Sequence, residues 1–473
     1  FNYIPTYTGP GHASVFTGTT PSVHGIVGNN WYDRDKDEMV YCTTDLAYAP
    51  VGAAVKYGRV SPSNLKVTTL PDQNRLFTQM KGKTIGVSIK DRGAIFPSGH
   101  TANGAYWFEG LEEGKWVTST YYMDELPAWV QKFNTTSNIS SYLKTWNTLY
   151  DISLYNESGP DASTYEKPFK GKPAPVFPYD LKALMEFNGG YDIIKNTPFG
   201  NTMITDFALA AIEAEALGSD EYTDFLTVSY SSTDYIGHDF GVNSVELQDT
   251  YLRLDLELER LLSYLDTKVG KGNYTLFLTS DHGAAEVPSF LMDIDAPGGY
   301  VQKNMFEPLY ATLKAKYGVS DLIKNISNEQ IFLNSDRIKS QQLDLVEVQE
   351  FIVNEIITYT AVSKAYTAAT MQTSYFKDGI EKTLQNGYNQ KLSGDVLFTL
   401  KSGVIAYGPK GTTHGSGYTY DTHVPLLFYG NGIRQGKTFA RTNVTDVAPT
   451  VAALLGIAFP SGSTGTVIEK AID

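Results

Sequence analysis

The sequence predicts an α/β fold, specifically a three-layer α/β/α sandwich around a mostly parallel sheet. Three observations predict it. Short apolar runs of β type recur along the 473 residues, each run is followed by a polar loop, and a helical pattern often follows the loop. This alternation is typical of a sheet whose strands are connected by helices that pack on its faces. We expect the whole chain, residues 1–473, to form a single domain.

Four apolar runs are expected to form strands. They lie at residues 84–89, 225–230, 274–279 and 425–429. In open α/β sheets, binding sites form at the carboxyl ends of the strands. The polar loops that follow these four runs are therefore the expected positions of functional side chains.

Two segments have apolar residues at the intervals of an amphipathic helix. The first follows Asn243 and Glu246, which are spaced as a capping box, and is expected to cross back to the sheet. Its apolar residues are Leu247, Tyr251, Leu254, Leu258, Leu261 and Leu265. The second is expected from Asp344, with Glu347 at its third position. Its apolar face consists of Leu345, Val348, Ile352 and Ile356.

The segment from about residue 99 to residue 200 has a different composition. It is rich in aromatic residues and contains several prolines, and its apolar residues rarely follow the regular spacing of a helix or a strand. No Gly/Ser-rich linker separates it from the rest of the chain. We interpret it as an insertion or cap over the sheet, within the same domain.

Composition and charge exclude several classes of protein. The chain has 38 basic and 52 acidic side chains, a formal net charge of −14, which argues against a nucleic-acid partner. The sequence contains no run of about 18 apolar residues, the length that a transmembrane helix needs. The single cysteine, Cys42, rules out an intrachain disulfide framework and a cysteine-rich zinc module.

Three short fragments at expected strand ends or glycine turns combine carboxylates with imidazoles. They contain Asp234 and His238, four residues apart; Asp281 and His282, which are adjacent; and His414 in a Thr-Thr-His-Gly loop. A carboxylate and an imidazole four apart share one face of a helical turn, a common way to hold zinc. Each fragment alone is more often a hydrogen-bonded surface pair. The three together favour a hydrolase with two metal ions.

Two further motifs supply groups for phosphoryl chemistry. Thr8 precedes a Gly-Pro pair where a helix is expected to begin, and helix N-termini favour anions. A threonine hydroxyl that binds Zn²⁺ can lose its proton near neutral pH and attack phosphorus. Asn29, in Gly-Asn-Asn-Trp, can donate to a phosphoryl oxygen. The alternatives are that Thr8 only caps the helix and that Asn29 lies in an ordinary turn.

In combination these motifs resemble the zinc alkaline phosphatase superfamily, and within it the PafA-type phosphomonoesterases of flavobacteria. These are close relatives of the nucleotide pyrophosphatase/phosphodiesterases. The resemblance extends in order from PTYTGPGH near the N-terminus through THG to DVAPTVAALLG at residues 446–456. It implies an alkaline-phosphatase-like fold, two zinc ions, small phosphate monoesters as substrates and a phosphothreonine intermediate. It also implies a periplasmic or secreted bacterial protein.

The resemblance also implies roles for individual residues. Thr8 would be the nucleophile and, with Asn29, Lys90 and Arg92, would form the catalytic and phosphate-binding group. One zinc would be held by Asp234, His238 and His414, and the other by Asp281, His282 and Thr8. Lys90 and Arg92, in SIKDRG, match the pair that distinguishes monoesterases from diesterases. Added cations favour a monoester because it carries nearly one more negative charge than a diester.

One feature departs from the family pattern. The family has an aspartate zinc ligand at the end of a first strand that lies well before the nucleophile, whereas seven residues precede Thr8 here. We therefore expect that this strand and its ligand are missing from the chain, and that an upstream segment has been removed.

Two other functions remain open. One is a phosphodiesterase or nucleotide pyrophosphatase of the same superfamily, against which Lys90 and Arg92 argue. The other is an inactive surface-binding protein that has kept the fold, against which Thr8, Asn29 and the zinc-ligand candidates argue. A sulfatase is excluded because the residues around Cys42 do not match the C/S-x-P-x-R motif that such enzymes need.

Overall fold

The structure is a computed structural model that describes residues 1–54 and 58–472. Its strands, in chain order, are β1 Asn30–Asp33, β2 Glu38–Tyr41, β3 Pro50–Val51, β4 Thr84–Ser88, β5 Gly104–Glu109, β6 Lys115–Ser119, β7 Thr145–Trp146, β8 Tyr179–Asp180, β9 Phe225–Ser229, β10 Thr275–Thr279, β11 Gly299–Tyr300, β12 Ile323–Ser327, β13 Gln330–Leu333, β14 Val362–Thr367, β15 Val396–Leu400, β16 Val404–Ile405 and β17 Leu426–Gly430.

The α-helices connect and cover these strands. In chain order they are α1 Thr8–Thr17, α2 Pro21–His24, α3 Leu70–Phe77, α4 Asp91–Ser98, α5 Ala128–Thr136, α6 Leu181–Leu184, α7 Pro198–Ala214, α8 Ser232–Phe240, α9 Val245–Leu265, α10 Pro288–Asp293, α11 Glu307–Tyr317, α12 Ser335–Ser340, α13 Leu345–Ile356, α14 Ala368–Thr373, α15 Gly379–Gly387, α16 Thr419–Thr422 and α17 Val447–Leu455. The four apolar runs expected to be strands are β4, β9, β10 and β17.

The central sheet has five strands in the order β3-β6-β5-β4-β9. β4 is parallel to both β5 and β9, whereas β5 pairs antiparallel with β6, and β6 with β3. The predicted α/β class is confirmed, with a sheet that is mixed because one edge is antiparallel. The short connection between β5 and β6 explains this edge, since a parallel crossover needs about a dozen residues or more.

Apolar cores cover both faces of this sheet. Tyr106 and Phe108 of β5 pack in one buried cluster with residues of α7, while Ala105 and Trp107 pack in another with residues of α4. Successive side chains of a strand point to opposite faces, so this alternation places one helix layer on each side. The arrangement is the expected three-layer sandwich.

A second sheet lies in the later part of the chain. Its order is β12-β13-β15-β14 and its pairings are antiparallel. α11 and α13 pack against it through buried residues that include Leu309, Val348 and Ile352. β10 and β17 form a separate antiparallel pair.

The two predicted amphipathic helices are present as α9 and α13. In α13, Asp344 accepts a hydrogen bond from the Glu347 amide at 2.9 Å, so the predicted start is confirmed. In α9, the capping residue is Ser244, whose hydroxyl accepts from the Leu247 amide at 3.1 Å. The predicted cap at Asn243 is wrong because that side chain donates instead to Glu286.

The aromatic-rich segment at residues 99–200 lies only partly outside the sheet. It contains β5 and β6, which are strands of the central sheet, so the predicted start of the insertion near residue 99 is wrong. The β-branched and aromatic side chains of these strands pack on both faces of the sheet. The strands therefore lack the alternation of apolar and polar residues by which a strand is recognised in a sequence. Later aromatic residues of the segment, Trp146 and Tyr179, pack against Phe240 at the end of α8.

Candidate active site

α8 brings the first predicted pair together. It begins at Ser232, directly after β9, and carries Asp234 and His238 one turn apart. Asp234 Oδ1 lies 3.3 Å from His238 Nε2. The spacing of four residues therefore places carboxylate and imidazole on one face, as the helical period requires.

Three histidines of the site are held in the same way. His238 Nδ1 lies 2.8 Å from the Thr412 carbonyl, His282 Nδ1 2.9 Å from that of Gly283, and His414 Nδ1 2.7 Å from that of Thr6. A carbonyl oxygen can only accept, so each Nδ1 carries the proton and donates it. Each neutral ring therefore presents an Nε2 lone pair, which is the form that ligates a metal ion.

The three Nε2 lone pairs converge on one carboxylate oxygen. Asp234 Oδ1 is 3.3 Å from Nε2 of His238 and 3.7 Å from Nε2 of both His282 and His414. Lone pairs brought this close repel one another unless a cation lies between them. Imidazole nitrogen and carboxylate oxygen are usual ligands of Zn²⁺, so the donor set fits this metal.

Electrostatics favour the metal-binding protonation states. Burial by itself would raise the pKa of Asp234, but the Lys90 ammonium acting together with His238, His282 and His414 outweighs burial and holds that pKa well below its usual value. Burial lowers the pKa of His414 well below its usual range. At neutral pH Asp234 is therefore a carboxylate and His414 a neutral imidazole whose Nε2 carries no proton.

The two predicted ligand sets lie side by side. His282, assigned to the second set, forms with Asp234 and His414 of the first a group whose ligand atoms all lie within 4.8 Å of one another. Asp281 Oδ2, also of the second set, is 3.4 Å from His282 Nε2. The structure thus joins all five protein side chains in one cluster, and their division between two ions stays a prediction.

Thr8 is the first residue of α1, and its side chain does not cap the helix. Tyr7 occupies the cap position, without a side-chain hydrogen bond to the helix. The Thr8 hydroxyl is buried and lies 3.5 Å from His282 Nε2, at the edge of the metal-ligand cluster. The alternative that Thr8 acts only as a cap is therefore wrong for this geometry.

Asn29 lies next to the start of α1. Its Oδ1 accepts a hydrogen bond from the Gly9 amide at 2.7 Å, which ties the Asn29 loop to the residue after Thr8. Because the carbonyl of the side chain is occupied in this way, the amide NH₂ is the group left to donate to a ligand. Asn29 and Thr8 are thus neighbours in space although 20 residues separate Asn29 from Gly9.

The two predicted cations follow β4. Lys90 is almost completely buried and its Nζ forms an ion pair with Asp234 Oδ2. Arg92 Nη1 donates to the Tyr41 hydroxyl at 2.9 Å, and Arg92 Nε is buried without a hydrogen-bond partner among the described residues. Lys90 therefore contacts the metal-ligand cluster directly, whereas Arg92 is held by a residue that the motifs did not indicate.

Two other residues that sequence reasoning did not assign hold the site in place. Asp421 Oδ2 accepts from the amides of Gly415 and Ser416 at 3.1 and 2.7 Å, and so fixes the loop that carries His414. His12 Nδ1 lies 3.4 Å from Asp281 Oδ2 and 3.0 Å from the Thr8 carbonyl. Both are near recognised motifs in the sequence, but only the folded chain shows what they contact.

Comparison with known proteins identifies the family. Residues 1–423 match the family model of type I phosphodiesterase / nucleotide pyrophosphatase. The chain belongs to this family.

Individual relatives match over nearly the whole chain. Alkaline phosphatase PafA of Elizabethkingia meningoseptica is 44% identical over 476 residues, which cover 100% of this chain and 86% of the relative. A Myroides odoratus protein named calcium-transporting ATPase is 44% identical over 478 residues, 100% of this chain and 87% of the relative. The crystal structure of wild-type alkaline phosphatase PafA superposes with a TM-score of 0.96 at 42% identity, over 100% of this chain and 91% of that one. The resemblance and the alkaline-phosphatase-like fold are therefore confirmed.

Proposed function

We propose that this protein is a zinc-dependent alkaline phosphatase that hydrolyses small phosphate monoesters through a phosphothreonine intermediate. The observation that carries the proposal is the convergence of three Nε2 lone pairs on the partly buried carboxylate of Asp234, beside the Thr8 hydroxyl. The similarity to alkaline phosphatase PafA in sequence and in structure supports it.

The chain would hold two zinc ions with the side chains that converge on the cluster. Asp234, His238 and His414 are proposed for one ion, and Asp281, His282 and Thr8 for the other. When bound, such ions act as Lewis acids and lower the pKa of hydroxyl groups that they contact. Elemental analysis of the purified protein tests the count, with about two zinc atoms per chain expected.

Thr8 Oγ1 is the proposed nucleophile. It would form a bond to phosphorus while the bond from phosphorus to the leaving alcohol oxygen breaks, and water would then hydrolyse the phosphothreonine to release inorganic phosphate. The position at the start of α1 supports this role, because the free amides and the helix dipole stabilise negative charge there. The Asn29 amide would donate to an oxygen of the transferring group.

Lys90 and Arg92 would select monoesters over diesters. A monoester presents one more unsubstituted, negatively charged oxygen than a diester does. Lys90 is buried against Asp234 of the cluster, and Arg92, two residues further along the chain, is partly buried. Their charges would compensate that of the monoester where little water can. In an acidic protein with a net charge of −14, such local cations are needed to attract a dianion.

We also propose that the protein works outside the bacterial cytoplasm, in the periplasm or after secretion, as the resemblance implies. No helix among the residues that the structure describes is both long enough and apolar enough to cross a bilayer. Cell fractionation of the source organism tests this: phosphatase activity recovered only with the cytoplasmic fraction would contradict it.

The test of the function is a comparison of substrates. The zinc-loaded protein is assayed with an aryl phosphate monoester, the matching aryl diester and ATP between pH 6 and pH 10. We expect the monoester to have the highest kcat/KM, with activity that rises toward alkaline pH and is lost on chelation. A higher kcat/KM for the diester would indicate the phosphodiesterase, and no turnover of any substrate would indicate the inactive binding protein.

The selectivity is tested with Lys90→Ala and Arg92→Ala. Each variant should lower kcat/KM for the monoester by about 100-fold, because a hydrogen-bonded charge on a developing anion contributes about 3 kcal/mol. The diester should be affected much less. A monoester-to-diester ratio that stays at the native value would contradict the proposed role of both residues.

A further inference from the structure

The Tyr41 hydroxyl lies between Arg92 and the carboxylate of Asp91. Arg92 Nη1 donates to Tyr41 Oη at 2.9 Å, and Tyr41 Oη in turn donates to Asp91 Oδ1 at 2.5 Å. A phenol hydroxyl has one proton to donate and lone pairs to accept, so both hydrogen bonds form at once. The guanidinium is thus tethered to Asp91 through a single intervening oxygen.

Asp91 is a fixed anchor for this tether. It is the first residue of α4, where the helix dipole favours a carboxylate. Its Oδ1 also accepts from the Arg92 amide at 2.7 Å, and its Oδ2 accepts from the Thr43 hydroxyl at 2.9 Å. Because both oxygens are occupied, the position of the Tyr41 hydroxyl is determined by the protein and does not depend on a ligand.

The tether leaves the charge of Arg92 available. Among the described residues, no carboxylate lies within 4.0 Å of the Arg92 guanidinium as an ion-pair partner, whereas Lys90 pairs with Asp234. A direct, bidentate salt bridge with Asp91 would occupy the N–H donors of Arg92 that a phosphoryl oxygen needs. Tyr41 uses only one N–H donor of Arg92, and within residues 1–54 and 58–472 the buried Nε of Arg92 has no hydrogen-bond partner.

Tyr41 also connects Arg92 to the Asn29 loop. It lies opposite Asn30 in the β1–β2 hairpin, and the amide of the next residue, Cys42, donates to the Asn29 carbonyl at 2.9 Å. The same hairpin therefore determines where Asn29 lies and, through the Tyr41 hydroxyl, where the guanidinium of Arg92 lies. One element therefore helps to position both groups.

We propose that Tyr41 is a positioning residue for Arg92, and that the tether through Asp91 holds the guanidinium where it meets the extra charged oxygen of a phosphate monoester. This inference rests on the proposed function. Tyr41 contacts no reacting atom, and it acts on selectivity through Arg92 alone.

The test is a double-mutant cycle. kcat and KM for an aryl monoester and the matching diester are measured for the zinc-loaded native protein, Tyr41→Phe, Arg92→Ala and the double variant. Tyr41→Phe should lower kcat/KM for the monoester by about 10-fold, as expected for loss of one hydrogen bond to a charged group, and that for the diester by less than about 2-fold. The double variant should be no slower than Arg92→Ala alone.

A matched control is available on the same hairpin. The Tyr32 hydroxyl also donates to an aspartate, Asp37, but Tyr32 packs against Phe332 and does not contact Arg92. Tyr32→Phe should keep native kcat/KM for both substrates. It shows what the loss of a tyrosine hydroxyl from this hairpin does in general.

Thermal unfolding shows whether Tyr41→Phe folds. If it does not fold, a second variant tests the same tether. Thr43→Val removes one hydrogen bond from Asp91 and should lower monoester kcat/KM by about 3-fold, with no effect in the Arg92→Ala background. Equal losses for monoester and diester, or losses that add to those of Arg92→Ala, would overturn the proposal. Absence of monoester turnover in the native protein would instead overturn the proposed function.

Discussion

At the residue scale, the ring nitrogen that carries the proton distinguishes the histidines of the site from a histidine of the core. In His238, His282 and His414, Nδ1 donates to a carbonyl and Nε2 is left for a metal ion. In His24 the pattern is reversed, since Nδ1 accepts from the Ile26 amide at 3.1 Å and Nε2 lies 2.9 Å from the Ser14 hydroxyl. His24 is therefore a structural residue.

His24 predicts how stability depends on pH. It is fully buried, and burial lowers its pKa to about 3. Between about pH 6.5 and pH 3 the unfolded chain binds a proton that the folded chain does not, so this group makes the free energy of unfolding fall as the pH falls through that range. The slope for one such proton is about 1.4 kcal/mol per pH unit.

The measurement is chemical unfolding of the metal-free protein at several pH values between 8 and 5. His24→Asn keeps an acceptor for the Ile26 amide and lacks the titrating ring. Below pH 6.5 its stability should therefore fall less steeply than that of the native protein, by about the slope of one proton. If the free energy of unfolding falls with pH equally steeply in the two proteins, His24 does not contribute to the pH dependence of stability.

Residue types and spacing predicted the local part of the site. Asp234 and His238 share a face because the helical period places them there, and the motifs indicated Thr8 and Asn29. The tether from Tyr41 to Arg92 was not predictable, because 51 residues separate the two and neither type nor spacing relates them. The role of Asp421 was also not predictable, because it depends on how the loop that carries His414 folds back.

At the scale of elements, α1 packs against the loop that follows β10 with no room for a side chain. A Cβ atom at Gly11 would lie 2.1 Å from the Asp281 carbonyl oxygen. Gly11→Ala should therefore displace Asp281 and the adjacent His282, and so weaken zinc binding by about 10-fold or more. Competition with a chromogenic chelator measures the affinity.

Gly237 provides the control for this prediction. It lies in α8, between the proposed ligands Asp234 and His238. Apart from the adjoining backbone of α8 itself, no atom of the described residues would lie within 4 Å of a Cβ atom there. Gly237→Ala should keep the native zinc affinity. Equal affinities for the two variants would show that close packing of α1 on the Asp281 loop does not position the ligands.

Periodicity predicted the elements better than their connections. The apolar runs became β4, β9, β10 and β17, because short apolar segments that end at polar loops form buried strands. β5 and β6 were missed because bulky side chains face both layers, which removes the alternation that marks a one-sided strand. The cap of α9 at Ser244 was missed by one residue, since neighbouring Asn and Ser are both good caps.

At the scale of the whole molecule, the four-stranded sheet reaches the site through the β1–β2 hairpin. Asn328, at the turn between β12 and β13, donates to the Asn30 carbonyl at 2.6 Å. Arg34 of the hairpin donates to the Ser393 carbonyl at 2.6 Å and to Asp395 Oδ2 at 2.9 Å. The hairpin that carries Asn29 is therefore held by a sheet distant in sequence.

This contact predicts an effect from outside the site. Asn328→Ala removes the hydrogen bond to Asn30 and should lower monoester kcat/KM by up to about 10-fold, the equivalent of one hydrogen bond, without changing the zinc content. Asn325→Ala is the control and should leave activity at the native value, because in the part of the chain that the structure describes the Asn325 side chain accepts a hydrogen bond only from Ser327 of the same strand. Similar activity of the two variants would show that the four-stranded sheet does not influence Asn29.

The central claim is that Thr8 Oγ1 is the nucleophile of a metal-dependent phosphatase. The measurement that tests it most directly is the turnover of an aryl phosphate monoester by the zinc-loaded native protein, Thr8→Ser and Thr8→Ala. We expect turnover by the native protein, partial activity in Thr8→Ser, which keeps a hydroxyl, and a loss of about 1,000-fold or more in kcat for Thr8→Ala. A Thr8→Ala variant that retains native turnover would contradict the claim.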